Sequence, residues 1–130
     1  MYTQTIKPAF CDTDALGHIN NTKLPIWFEQ ARNDLFHIFT PDLDPQKWQL
    51  ILAKIEVEYT GELFYGRDVT IKTYIGHIGN SSFQICQEAW QDGKMGAKGT
   101  ATMVHYSFAE KKSQPLTDHH RQELEQLKQD

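Results

Sequence analysis

The sequence predicts an α+β domain in which an antiparallel sheet wraps around one long central helix. Two patterns carry that expectation. Leu24, Trp27, Phe28, Ala31, Leu35, Ile38 and Phe39 recur at three- and four-residue spacing and form one stripe on a helical wheel, with Lys23, Gln30, Asn33 and His37 on the other side. From about residue 50 to residue 108 the period changes to two, the mark of strands with one buried face. So wide an apolar stripe must be covered, and the strands that follow are the surface available to cover it.

The elements follow in order. Residues 2–10 alternate loosely and read as a first strand closing at Phe10. Asn20 or Asn21 suits the N-cap of the helix, because a short amide oxygen accepts from an early helical N–H. Pro25 lies near the first turn, where its missing N–H does least damage, and Thr40-Pro41-Asp42 ends the helix. Ile55, Val57 and Tyr59 alternate with Glu56 and Glu58. Val69, Ile71, Thr73 and Ile75 repeat the pattern after a Tyr-Gly-Arg-Asp turn. Residues 83–90 and 94–108 flank Gln91-Asp92-Gly93, and Asp-Gly is a strong hairpin signal. Residues 117–128 read as a short polar helix whose Leu124 and Leu127 dock on the body.

Bulk properties narrow the class. The 130 residues suit a single domain, residues 1–130, with no linker, repeat or low-complexity tract. A hydrophobic fraction of 39% with 23% charged residues is ordinary for a globular chain. The net charge of −4 leaves no nucleic-acid footprint. No apolar run approaches the roughly 20 residues of a membrane span. The first residues lack the apolar core of a signal peptide, so a cytoplasmic protein that does not bind membranes is expected. Cys11 and Cys86 belong to no CxxC pair and read as reduced thiols. The six histidines show no metal-ligand spacing, and Asp12-Thr13-Asp14 lacks the further carboxylates of a cation site, so no metal is expected.

One segment carries chemistry. Asp14 precedes the helix by a few residues, and a helix start leaves backbone N–H groups unpaired in a region of positive potential. Such donors polarise a carbonyl and stabilise its oxyanion, and Asp14 beside them could serve as nucleophile or as base for a water. Gly17 would let the intervening loop turn tightly. A capping or turn role for Asp12 and Asp14 explains the same residues without any chemistry.

Asp-Thr-Asp-Ala-Leu-Gly-His-Ile-Asn-Asn followed by Trp-Phe-Glu-Gln-Ala-Arg resembles the signature of the hotdog-fold acyl-CoA thioesterases of the 4-hydroxybenzoyl-CoA thioesterase type. Residues 55–59, 63–69 and 78–83 continue the similarity, which covers about residues 4–110. The resemblance implies a hotdog fold and hydrolysis of an acyl or aryl thioester to free acid and thiol. Coenzyme A would enter as part of the substrate, with no separate cofactor. It also implies a homodimer or homotetramer with active sites at the dimer interface.

Carried over by position, Asp14 is the catalytic carboxylate and the backbone near Asn21 is the carbonyl-polarising donor. His18 and the Asn20 amide are candidates to orient water or the carboxylate, and Gly17 is the family's loop glycine. Trp27, Phe28, Tyr59, Leu63 and Phe64 are candidates to line the acyl channel. Ser81, Ser82, Lys111 and Lys112 are candidates for the coenzyme A end. Glu58 and Glu62 are held in reserve as alternative carboxylates. The 80–82 stretch has no Arg or Lys, unlike several relatives, which leaves an acyl carrier protein open as the thioester donor. A hotdog hydratase or dehydratase and a non-catalytic acyl-CoA-binding protein are the other readings.

Overall fold

The computed structural model describes residues 1–129. Its strands are β1 (Tyr2–Ile6), β2 (Leu50–Tyr59), β3 (Val69–Ile78), β4 (Ser82–Gln91), β5 (Lys94–Ser107) and the short β6 (Lys112–Ser113). They form one antiparallel sheet in the order β1-β3-β4-β5-β2, with β6 pairing the end of β5. Thr73, Gln87, Gly99 and Val57 lie opposite one another across four strands and face the helical layer. The β4–β5 hairpin turns at Asp92 (φ 52°) and Gly93 (φ 77°), the paired left-handed conformation that favours Asp-Gly. No described helix is long and apolar enough to cross a membrane.

The expected single long helix is instead two short ones, α1 (Lys23–Ala31) and α2 (Asn33–Phe39), interrupted at Arg32. In a continuous α-helix the Arg32 N–H would bond the Phe28 carbonyl. It bonds Glu29 O at 3.0 Å instead, and the Phe28 carbonyl accepts from Gln87 Nε2 at 2.8 Å. A side chain from the sheet thus takes a rung of the helical ladder, a recognised cause of helix breaks. Arg32 is buried and reaches Gln87 Oε1 at 3.3 Å, not the surface ion pair with Glu29 that i,i+3 spacing suggests.

Both short helices keep the apolar stripe inward. Leu24, Trp27, Phe28 and Ala31 pack with Leu63, Val69, Ile71, Ala89 and Ala97. Leu35 and Phe39 pack with Leu50, Ile75, Phe83, Ile85, Met103 and Leu124. Gly99 lets Phe28 approach the sheet, since a Cβ there would lie 3.0 Å from the Phe28 ring. Leu124 belongs to α3 (Asp118–Glu125), capped by Thr117, whose Oγ1 accepts from the His120 N–H at 3.1 Å.

Three further expectations shift. The first strand stops at Ile6, because Pro8 offers no N–H and residues 10–12 form a 3-10 turn. The helix starts at Lys23, not directly after Asn20 or Asn21. Asn20 Oδ1 still accepts from the Thr22 N–H at 2.9 Å, closing an Asx turn just ahead of it. On β2 the alternation does not produce a buried face. Only Leu50 is fully buried, and Leu52 (46% exposed), Ile55 (40%) and Tyr59 (50%) lie open along a sheet edge with no further strand beside it among the described residues.

Candidate active site

The segment from Thr13 to Ile19 folds back on itself as a small antiparallel loop. Thr13 bridges Ile19, and the Asp14 N–H donates to His18 O at 2.7 Å. Gly17 (φ +80°) makes the reversal. Asp14 Oδ1 accepts from the N–H groups of Leu16 (2.8 Å) and His18 (3.1 Å), which fixes the carboxylate by one oxygen. Oδ2 has no hydrogen-bond partner among the described residues. The Asp14 side chain thus makes the turn contacts that Asp favours and keeps an oxygen free for other work.

The loop is stitched to the segment after β2. Ile19 N–H donates to Leu63 O at 2.8 Å, Tyr65 N–H donates to Gly17 O at 3.2 Å, and His18 bridges Phe64. The His18 ring packs edge-on against Phe64 (5.1 Å between centroids), and its Nε2 lies 3.7 Å from Glu62 Oε2. Tyr59 Oη donates to Asn21 O at 2.6 Å and so ties the end of β2 to the helix start. The Asn21 N–H makes no hydrogen bond among the described residues.

These contacts surround an open cavity of about 410 Å³. Asp14, His18, Asn20 and Asn21 line one side, Tyr59 and Leu63 another, and the sequence pointed to all six. Ile19, Leu24, Gly61, Glu62 and Gly96 complete the wall. Of these only Glu62 was singled out, as a reserve carboxylate. Gly61 and Gly96 leave no side-chain signal to find, and Ile19 and Leu24 read as ordinary core. Asp14 and Glu62 are carboxylates, and no Lys or Arg lines the cavity.

The remaining candidates lie elsewhere. Trp27 and Phe28 are buried in the core and do not line the cavity. Phe64 backs His18 and carries the Arg67 guanidinium on its other contact, 4.9 Å from the ring centroid. Glu58 faces Lys98 across the outer surface of the sheet, at 3.7 Å. Ser81 and Ser82 sit at the β3–β4 turn, and Lys111 (φ 57°) and Lys112 at the β5–β6 turn. Both turns are at the opposite end of the sheet from Gly96, so within one chain none of the four meets Asp14. Among the described residues no three His, Cys, Asp or Glu side chains converge as metal ligands.

Residues 8–124 match the model of the thioesterase-like superfamily. The chain belongs to this superfamily. Its class of activity is thioester hydrolysis. A predicted thioesterase from Bacillus stearothermophilus is 39% identical and superposes with a TM-score of 0.94, over 98% of this chain and 96% of that one. A thioesterase from Thermus thermophilus, solved with coenzyme A and zinc, is 26% identical with a TM-score of 0.84, over 96% and 92% of the two chains. A 1,4-dihydroxy-2-naphthoyl-CoA thioesterase from Synechocystis, 16% identical, shares the fold with a TM-score of 0.80 over 97% and 96%. No curated protein sequence matches the chain. The superfamily accounts for the curled antiparallel sheet with its few short helices, the hotdog architecture expected above.

Proposed function

We propose that this thioesterase hydrolyses acyl-CoA thioesters with Asp14 as the base or nucleophile and the helix start at Asn21 as the oxyanion site. One observation carries the reading: a carboxylate oxygen without a partner and a backbone N–H without a partner belong to residues lining the same cavity. Base and oxyanion donor are the two groups that acyl transfer requires. The two N–H groups on Oδ1 hold the carboxylate in place, and one oxyanion donor is typically worth about 3 kcal/mol in the transition state. Coenzyme A as the thiol carrier is supported by the Thermus relative, which is complexed with it.

The active unit is a homodimer made through the free edge of β2. A ten-residue edge strand with exposed Leu52, Ile55 and Tyr59 is a template for pairing, and a two-fold axis beside it would continue the sheet antiparallel. Antiparallel pairing sets one copy's Leu50 end level with the other's Tyr59 end. The partner's Ser81, Ser82, Lys111 and Lys112 then lie at the same end of the joined sheet as this chain's Asp14, where the pantetheine and phosphates of coenzyme A would run.

Thiol release from a panel of short, medium, long and aromatic acyl-CoAs tests the reading, with wild type and Asp14→Asn side by side. Asparagine keeps the shape and removes the base, so the rate falls on the order of 10² to 10⁴-fold while the protein stays folded. Turnover by Asp14→Asn equal to wild type overturns the assignment.

A further inference from the structure

The chemistry above leaves a second carboxylate and an imidazole in the cavity without a task. Water attack at a thioester carbon is half of the reaction; the other half is departure of sulfur. In this cavity the thiolate leaves beside Asp14 and Glu62, and no Lys or Arg in the wall offsets their charge. His18 is the one lining side chain that can carry positive charge and donate a ring proton.

The geometry around His18 is that of an oriented imidazole. Two backbone hydrogen bonds between residues 17–19 and 63–65 hold its loop, and the Phe64 ring packs against its edge. Nε2 lies 3.7 Å from Glu62 Oε2, while Nδ1 has no hydrogen-bond partner among the described residues. A carboxylate beside one ring nitrogen favours a proton on that side, which leaves Nδ1 as the nitrogen free to exchange one. Glu62 is only partly enclosed (64% of its side chain is exposed), so it can reorganise as the charge on the ring changes.

We propose that His18 protonates the departing sulfur and that Glu62 is the positioning residue that holds it for this step. The inference rests on the thioesterase reading of the cavity. Water adds to the acyl carbon as Asp14 takes one of its protons, and the oxyanion forms. The oxyanion then collapses, the C–S bond breaks, and the electron pair left on sulfur takes the proton from Nδ1 of His18. Asp14 returns its proton to solvent and His18 is reprotonated from it. One water is consumed, and one acid and one thiol are formed.

Leaving-group chemistry separates this role from a structural one. Two thioesters of the same acid are compared: the best acyl-CoA of the panel, whose alkyl thiol is weakly acidic, and its 4-nitrothiophenyl ester, whose thiolate departs without protonation. Glu62→Gln should lose on the order of 10-fold more kcat on the acyl-CoA than on the aryl thioester. His18→Gln should show a larger difference, towards the 10² to 10⁴ of a general acid. Asp14→Asn should lose both activities alike. An equal loss on the two thioesters in Glu62→Gln and His18→Gln, or no loss on the acyl-CoA, overturns the proton-donor role. Wild-type rates in Asp14→Asn would instead overturn the reading of Asp14, a result distinct from the first.

Discussion

Gln87 and Phe28 are joined by a hydrogen bond of 2.8 Å from a strand amide to a helix carbonyl, and that bond divides the central helix. Gln87 is 2% exposed, and its amide also meets Thr73 Oγ1 at 3.1 Å and Arg32 Nη1 at 3.3 Å. The Arg32 side chain has no other hydrogen-bond partner among the described residues: its Nε is buried and unpaired, and burial pulls the guanidinium below its ordinary pKa against the opposing pull of Glu29. One neutral side chain therefore serves a helix carbonyl, a threonine hydroxyl and a buried cation.

Replacing Gln87 by Leu should be costly for that reason. The substitution fits the space but leaves the Arg32 guanidinium and the Phe28 carbonyl without their partner. Each unsatisfied buried group costs about 1 to 3 kcal/mol, and relaxation recovers part of the sum. We expect a loss of about 2 to 4 kcal/mol in urea unfolding. A loss below about 0.5 kcal/mol would show that Arg32 does not depend on Gln87.

The helix break shows why part of the fold was hidden in the sequence. The apolar stripe runs unbroken through residues 24–39, and the side chain that interrupts the helix lies 59 positions from Phe28, on β4. By contrast the Asp92-Gly93 hairpin was legible, because left-handed geometry at two consecutive residues is a local requirement. The β2 alternation misled for a third reason: burial of an edge strand depends on what lies beyond the edge. At the site, Asp14, His18, Asn20 and Asn21 were legible as one contiguous motif. Glu62 reaches His18 only because residues 17–19 pair with residues 63–65, a tertiary contact without a local signal.

His120 should make stability fall in mild acid. Burial pushes its imidazole down to about 4, with the nearby His105 and His119 adding to the effect, and its ring lies 4.3 Å from that of Phe39. The folded protein thus binds this proton less readily than the unfolded chain, whose imidazole titrates near about 6.5. Its contribution is intact above about pH 6.5 and is lost as pH falls towards 4. We expect wild type to lose about 1 to 2 kcal/mol more than His120→Gln between pH 7 and pH 4.5 in urea titrations. Parallel stability curves would remove His120 from the account.

Gly96 should control the width of the cavity. A Cβ at that position would lie 2.6 Å from both Cγ and Cδ2 of Leu63, and both residues line the wall. Gly96→Ala forces Leu63 to move, at a cost of about 1 to 3 kcal/mol for an overpacked site. Displacement of Leu63 reshapes the wall, so the ranking of acyl-CoAs by kcat/KM should change, most for the bulkiest acyl groups. An unchanged ranking would place the acyl chain away from Leu63.

Tyr59 should matter through its hydroxyl. The 2.6 Å bond to Asn21 O ties β2 to the helix start, at a place where half of the tyrosine is exposed. Tyr59→Phe keeps the ring and removes the bond, which costs about 0.5 to 1.5 kcal/mol of stability. If the bond also holds the oxyanion donor, kcat falls by about 10-fold, as expected for roughly 1.4 kcal/mol of lost transition-state stabilisation. A variant with normal kcat and raised KM would make Tyr59 a substrate contact instead.

The β2 edge makes the last prediction, because it links assembly to activity. Ile55 is 40% exposed in the single chain and pairs with buried Ala101 of β5, so it lies on the inner face of the strand that has no outer neighbour. A lysine there puts a charge into any sheet continued across this edge, and edge lysines are a common way of preventing such pairing. Ile55→Lys touches none of Asp14, His18 and Asn21, so a self-sufficient single-chain site would keep its rate. If the partner supplies the coenzyme A end, sedimentation should show a monomer for Ile55→Lys. Its KM for acyl-CoA should also rise well beyond that of Lys54→Glu, an exposed neighbour that changes charge on the outer surface. A monomeric variant with wild-type KM would mean that each chain binds its substrate alone.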